Sequence, residues 1–231
     1  MAHQMKTFES GAALAAGLAD AVASALSAAI ARSGEATLAV SGGSTPKAFF
    51  EALSTQALDW AKVKVTLVDE RFVPEDNPRS NHLLVKTHLL KNEAAAAEFV
   101  PLYRPEATIE DAAKTASGIM PGMSRPFDVA ILGMGTDGHT ASFFPGGDTL
   151  DAALTDGIKA VQADAARALD FIAPDSVHTV DVRPAVDAMR EAPHKRLLIT
   201  AEPLPGPTPQ QAPTALAIHV QDSGKGLSDT D

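Results

Sequence analysis

The sequence predicts an α/β chain with a mostly parallel open sheet flanked by helices. Three observations carry that prediction. Apolar runs suited to buried strands recur at residues 37–40, 65–68, 128–132, 196–200 and 215–220, with intervals of crossover length between them. Several of the intervening segments carry helix signatures. The first three runs each end in a turn rich in glycine or in charge, where open parallel sheets present their ligand-binding groups, so the layout is Rossmann-like.

The first helix is expected over residues 11–31, where Leu14, Leu18, Val22, Leu26 and Ile30 recur every four residues and form one apolar stripe. The segment is mostly alanine, is interrupted by Asp20, and has neither a basic leading region nor a strongly apolar centre. It therefore reads as a helix packed on the sheet, not as a targeting or membrane segment. A second helix is expected over 47–53, with Pro46 in its first turn and Ser44 or Thr45 as N-cap. Ser80 and Asn81 stand ahead of a third. Residues 92–98 carry four consecutive alanines and read as helical, and 103–118 as a helix capped near Thr108 with Glu110 and Asp111 in its first turn. Five prolines between 203 and 213 deny the backbone its donors and mark an exposed loop, and residues 221–231 read as a frayed end. The chain is expected to form a single α/β domain over 1–231, or a larger lobe with a minor one within 150–231.

Composition narrows the function classes. Over 231 residues, 29 acidic side chains stand against 19 basic ones, for a formal charge of −10. That balance argues against nucleic acid or an anionic membrane as the main partner, and it means that a bound phosphate needs local positive potential. The chain has no cysteine, which removes disulfides, thiol nucleophiles and thiolate zinc sites and fits a reducing cytosol.

Three motifs carry chemistry. Ser41-Gly42-Gly43-Ser44-Thr45-Pro46 follows the first strand and opens a helix. Such a loop exposes backbone N–H groups beside the positive end of a helix dipole and favours a phosphate, although the same pattern also suits an ordinary capped turn. Asp69-Glu70-Arg71-Phe72-Val73-Pro74 follows the second strand. Its two carboxylates and guanidinium suit an ion-pair network from which Arg71 reaches a substrate oxyanion, or a plain solvated cluster. The third motif, Gly133-Met134-Gly135-Thr136-Asp137-Gly138-His139, follows the run 129–132. Its three glycines allow a tight turn that aims Asp137 and His139 into a cleft. Histidine is the residue type suited to general-base work near neutral pH, which makes His139 the candidate base; the plainer reading is a turn histidine bonded to a backbone carbonyl. His82 and His88, six residues apart, do not share a face in metal-ligand spacing.

Taken together, Ser41–Pro46, Asp69–Pro74 with Ser80-Asn81, and the stretch 132–145 resemble those of the 6-phosphogluconolactonases, within the glucosamine-6-phosphate isomerase/6-phosphogluconolactonase group. The resemblance implies hydrolysis of a small phosphorylated sugar lactone, 6-phosphogluconolactone, in the oxidative pentose phosphate pathway. It further implies a reaction that uses neither metal nor organic cofactor; the chain is expected to be cytoplasmic and a monomer or small homo-oligomer. By the same resemblance His139 activates water and Asp137 supports its turn. Arg71 and the loop of Ser41, Gly42, Gly43, Ser44 and Thr45 hold phosphate or sugar, and Asp69, Glu70, Asn81 and Gly135 complete the site. Beyond the histidine motif the group carries a further basic residue, for which Arg183, Lys195 and Arg196 are the nearest candidates, although the favoured reading of all three is ordinary solvated charge. The sister deaminases place a functional glutamate where this chain has Phe144, and a tyrosine where it has Arg71; a ring-opening deaminase needs that carboxylate. A non-catalytic sugar-phosphate binder is the alternative from another class.

Overall fold

The computed structural model describes residues 4–119, 122–123, 127–133, 139–143, 159–163, 166–170, 197–204 and 215–222. In chain order the elements are β1 (Gln4–Thr7), α1 (Gly11–Ser33), β2 (Ala36–Val40), α2 (Lys47–Ser54), β3 (Val63–Leu67), β4 (Asp69–Arg71), α3 (Asn81–His88), β5 (Glu98–Val100), α4 (Ile109–Ile119), β6 (Val129–Leu132), β7 (Lys159–Ala163), β8 (Ala166–Asp170), β9 (Leu197–Leu204) and β10 (Ala215–Asp222).

Seven strands form one sheet in the order β1-β9-β10-β6-β2-β3-β5, parallel from β10 through β5 and antiparallel only where β9 and β1 join. Every residue of β2 is buried, which explains its unbroken run Ala-Thr-Leu-Ala-Val: a central parallel strand covered on both faces has no polar side to alternate with. Thr37, the one polar side chain in it, is satisfied locally. Asp128 Oδ2 accepts from the Thr37 N–H at 2.9 Å and from its hydroxyl at 3.1 Å, while Asp128 Oδ1 takes Arg32 of α1 at 2.6 Å. One carboxylate thus joins the end of α1 to the starts of β2 and β6.

The stripe on α1 is as expected. Leu14, Leu18, Val22 and Leu26 are buried and Ile30 sits half-buried at the margin; Ser10 caps the start, and Gly34 ends the helix at φ 86° with its N–H on the Ile30 carbonyl. By length and composition α1 is long and apolar enough to cross a bilayer, yet its buried face packs on α2, β2, β6 and β9.

Four local expectations are corrected. The N-cap of α2 is Pro46, already helical at φ −76° and ψ −4°, with no side-chain cap; the proline's fixed φ starts the helical turn after the hydroxyls of Ser44 and Thr45. Residues 92–98 make one 3-10 turn over Asn92–Ala96 and then enter β5, because pairing with β3 wins over alanine's helix propensity. Helix α4 begins only at Ile109, where Thr108 accepts the Asp111 N–H at 3.1 Å. Pro203 and Leu204 belong to β9, paired with β10 beyond the stretch that β1 covers; the rest of the proline-rich segment and residues 223–231 lie outside the described residues. Strands β1, β4, β5, β7 and β8 were not expected from the sequence.

Replacing Asp128 by alanine strands the N–H and hydroxyl of Thr37 inside the sheet, and a loss of about 2–3 kcal/mol in urea unfolding is expected. Arg32→Ala, at a side chain 45% exposed, should cost under about 1 kcal/mol.

Candidate active site

The chain leaves β2 toward β3 and β5 on one side, then returns as β6 on the other. The carboxyl ends of β2 and β6 therefore flank a topological switch point, the place where open α/β sheets form a ligand crevice. Register sets the three loops at one level: Val40 lies beside Leu67 and Ile131, and the Val68 N–H donates to the Val40 carbonyl at 3.0 Å.

The first loop is stapled to the third. The buried Ser41 hydroxyl donates to the Ile131 carbonyl at 2.8 Å and accepts the Gly133 N–H at 3.0 Å, so it clamps the ends of β2 and β6. Gly43 adopts φ 94°, a left-handed conformation suited to glycine. Gly43, Ser44 and Thr45 are exposed, and they lead into a helix whose first N–H groups lack a side-chain cap. An anion at this helix start meets unshielded positive potential.

The second loop is organised by strand alternation. In β4, Glu70 turns inward with no solvent exposure, while its neighbours Asp69 and Arg71 remain half-buried. The Glu70 carboxylate accepts the N–H groups of Arg71, Asn81 and His82 at 2.7–2.8 Å and the Ser80 hydroxyl at 3.1 Å. Ser80 itself caps α3 by accepting the Leu83 N–H at 3.2 Å. The expected ion-pair network is corrected accordingly: among the described residues Arg71 forms no salt bridge, because alternation sends Glu70 to the helix start instead. Arg71 donates from Nη1 to the Arg79 carbonyl at 2.9 Å and to Asn81 Oδ1 at 3.0 Å. Its Nη2 and Nε have no hydrogen-bond partner among the described residues. Asn81 Nδ2 donates to the Asp69 carbonyl at 2.9 Å, and a Cβ on Gly42 would overlap the Asn81 carboxamide, so the first and second loops touch there.

In the third loop Thr140 Oγ1 donates to the Gly133 carbonyl at 2.8 Å, and the Phe143 N–H donates to the Thr140 carbonyl at 2.9 Å. Ala141 takes φ 49°, unusual for a residue with a Cβ. This turn folds back on β6 and leaves His139 half-buried. Asp137, Gly135 and Phe144 lie outside the described residues, as do Arg183, Lys195 and Arg196.

Electrostatics link the loops. Desolvation pushes the Asp69 carboxyl up to about 6; Arg71 and His139 oppose the rise by favouring its charged form, and Glu70 adds to it. His139 thus stands within electrostatic reach of Asp69, although 70 positions separate the two in the sequence. Sequence reasoning missed this pairing, the Ser41 staple and the contact of Phe72 with Tyr103, whose ring centroids lie 5.6 Å apart. The alternation of Asp-Glu-Arg on a short strand was the signal available for the first.

The family model for glucosamine-6-phosphate isomerases/6-phosphogluconolactonase matches residues 9–169. A 6-phosphogluconolactonase of Rhizobium meliloti is 58% identical over 154 residues, which is 67% of this chain and 66% of the relative. One from Pseudomonas aeruginosa is 49% identical over 150 residues, 65% of this chain and 63% of the relative. The chain therefore spans slightly under two thirds of the length of these curated relatives. The crystal structure of a 6-phosphogluconolactonase from Shewanella baltica superposes with a TM-score of 0.70 at 41% identity, covering 71% of this chain and 72% of that one. With the family model matched over more than half of its residues, all three site loops included, the chain belongs to the glucosamine-6-phosphate isomerase/6-phosphogluconolactonase family.

Proposed function

We propose that this chain hydrolyses 6-phosphogluconolactone to 6-phosphogluconate, as a cytoplasmic enzyme of the oxidative pentose phosphate pathway. The observation that carries the reading is the meeting of His139, Asp69 and Arg71 at the switch point, beside a glycine loop that opens an uncapped helix. The names of the relatives point to the same substrate.

In this reading Arg71 and the Ser41–Thr45 loop hold the phosphate or the sugar. Neutral His139 takes a proton from a water as its oxygen attacks the lactone carbonyl carbon, and backbone amides receive the oxyanion. Collapse of the tetrahedral intermediate breaks the ring C–O bond, and the imidazolium returns its proton to the departing ring oxygen. The ionised Asp69 stabilises the imidazolium between those steps, and Asp137 supports the turn. The resulting carboxylic acid loses its proton to solvent.

Freshly prepared 6-phosphogluconolactone should vanish faster with the purified protein than without it. His139→Ala should remove about 10²–10⁴-fold of that gain while binding of 6-phosphogluconate persists. Ligand binding by the wild type with no acceleration would establish the non-catalytic sugar-phosphate binder instead.

The pH profile follows from two groups. The Asp69 carboxyl, pushed up to about 6 by desolvation, and the imidazole of His139 must both be unprotonated for the mechanism. The logarithm of the enzymatic rate should therefore fall with a slope approaching 2 below pH 6, easing toward 1 in Asp69→Asn. A flat profile from about pH 5 to 8 would exclude His139 as base.

Stability runs the other way. The Asp69 carboxyl is raised from 3.8 to about 6, so its favourable contribution is complete below pH 3.8 and lost as pH rises through 6. Asp69→Asn should raise the melting temperature at pH 8, where the wild type holds a desolvated charge, and the gain should shrink toward pH 4. Melting curves at the two pH values measure this directly.

A further inference from the structure

We propose that Asn81 is a positioning residue that aims the Arg71 guanidinium at the bound phosphosugar without touching the ligand itself. Asn81 is 1% exposed, and both ends of its carboxamide are engaged inside the protein, Oδ1 by Arg71 Nη1 at 3.0 Å and Nδ2 by the Asp69 carbonyl at 2.9 Å. Its backbone N–H is fixed by Glu70 at 2.8 Å. A guanidinium is planar, so two acceptors on one terminal nitrogen, Asn81 Oδ1 and the Arg79 carbonyl at 2.9 Å, set the orientation of the whole fork. Nη2 and Nε then keep a fixed direction for a bidentate anion contact. Gly42 closes the arrangement from the other side. A Cβ there would overlap Asn81 Oδ1, Cγ and Nδ2, so the anion loop approaches the carboxamide as closely as a glycine permits, and the distance between the loop and Arg71 is set through Asn81.

This inference rests on the reading of the crevice as a sugar-phosphate site, and it makes a claim of its own: the effect of Asn81 on the ligand passes through Arg71. A double-mutant cycle on the full chain tests that claim, with 6-phosphogluconate as the titrant in calorimetry. Arg71→Ala and Asn81→Ala should each weaken binding roughly tenfold or more. The double variant should bind within about threefold of Arg71→Ala alone, since a misaimed fork that is already absent has nothing further to lose. Losses that multiply would overturn the proposal, because direct contact or general loosening of the crevice adds to the loss of Arg71.

Gly42→Ala supplies a second probe should Asn81→Ala fail to fold. It removes no hydrogen-bonding group, and the three nearest atoms that its methyl would meet all belong to the Asn81 carboxamide, so it should weaken binding in the wild type and have no further effect in Arg71→Ala. An unchanged affinity in Gly42→Ala, or an equal loss in both backgrounds, would refute the positioning role. If the wild type binds 6-phosphogluconate but does not speed lactone hydrolysis, the catalytic reading falls and the positioning role stands on the cycle. A wild type that does not bind it overturns both.

Discussion

A carboxylate with no solvent contact has to be surrounded by donors or be neutralised, and the site is arranged around that requirement at Glu70. Three backbone N–H groups and a hydroxyl meet its charge, and two of those N–H groups open α3, where the helix dipole also favours an anion. Because the partners come from both β4 and α3, the carboxylate fixes the strand against the helix. That fixes Arg71, Asn81 and the face of Asn81 on which Gly42 rests. The most buried charge of the motif thus acts as its frame, leaving Asp69 and Arg71 to face the crevice.

The sheet contributes the other constraint. Parallel register brings β2, β3 and β6 to one level, and reversal of the strand order between β2 and β6 opens the gap into which all three loops project. Ser41 holds that gap to a set width through two hydrogen bonds to the end of β6. Strand β4 departs from the main sheet and pairs with β8, itself paired with β7, so two strands far along the chain help to hold Asp69–Arg71 in place.

Strands β2, β3, β6, β9 and β10 and helix α1 were legible because their signals are local and strong. Five apolar runs fall within two residues of the observed strand starts, and the stripe from Leu14 to Leu26 names the buried face of α1. The misread elements are those that tertiary pairing decides. Glu98–Val100 is a strand because β3 has an open edge, and Asp69–Arg71 is one because β8 lies beside it; neither fact is carried by three residues of sequence. In the site, the residue types and their three loops were readable, whereas the division of labour was not. Glycine at 42 reads as a flexible turn residue, yet its position is explained by contact with a side chain 39 residues away. Asp69 and Glu70 look alike in sequence, and only the pleat distinguishes a framework charge from one within reach of the imidazole.

The left-handed Ala141 shows what such a site asks of its backbone. An alanine in that region is less stable than a glycine by about 1 kcal/mol, so the chain accepts a locally uphill conformation two residues after His139. The methyl group also narrows the torsional space open to the segment, as glycine would not. A relaxed bend would be softer, and an imidazole carried on a softer bend would spread over a wider range of orientations. The fold tolerates a small permanent distortion there, and in return it limits the wobble of the imidazole that we propose as the base.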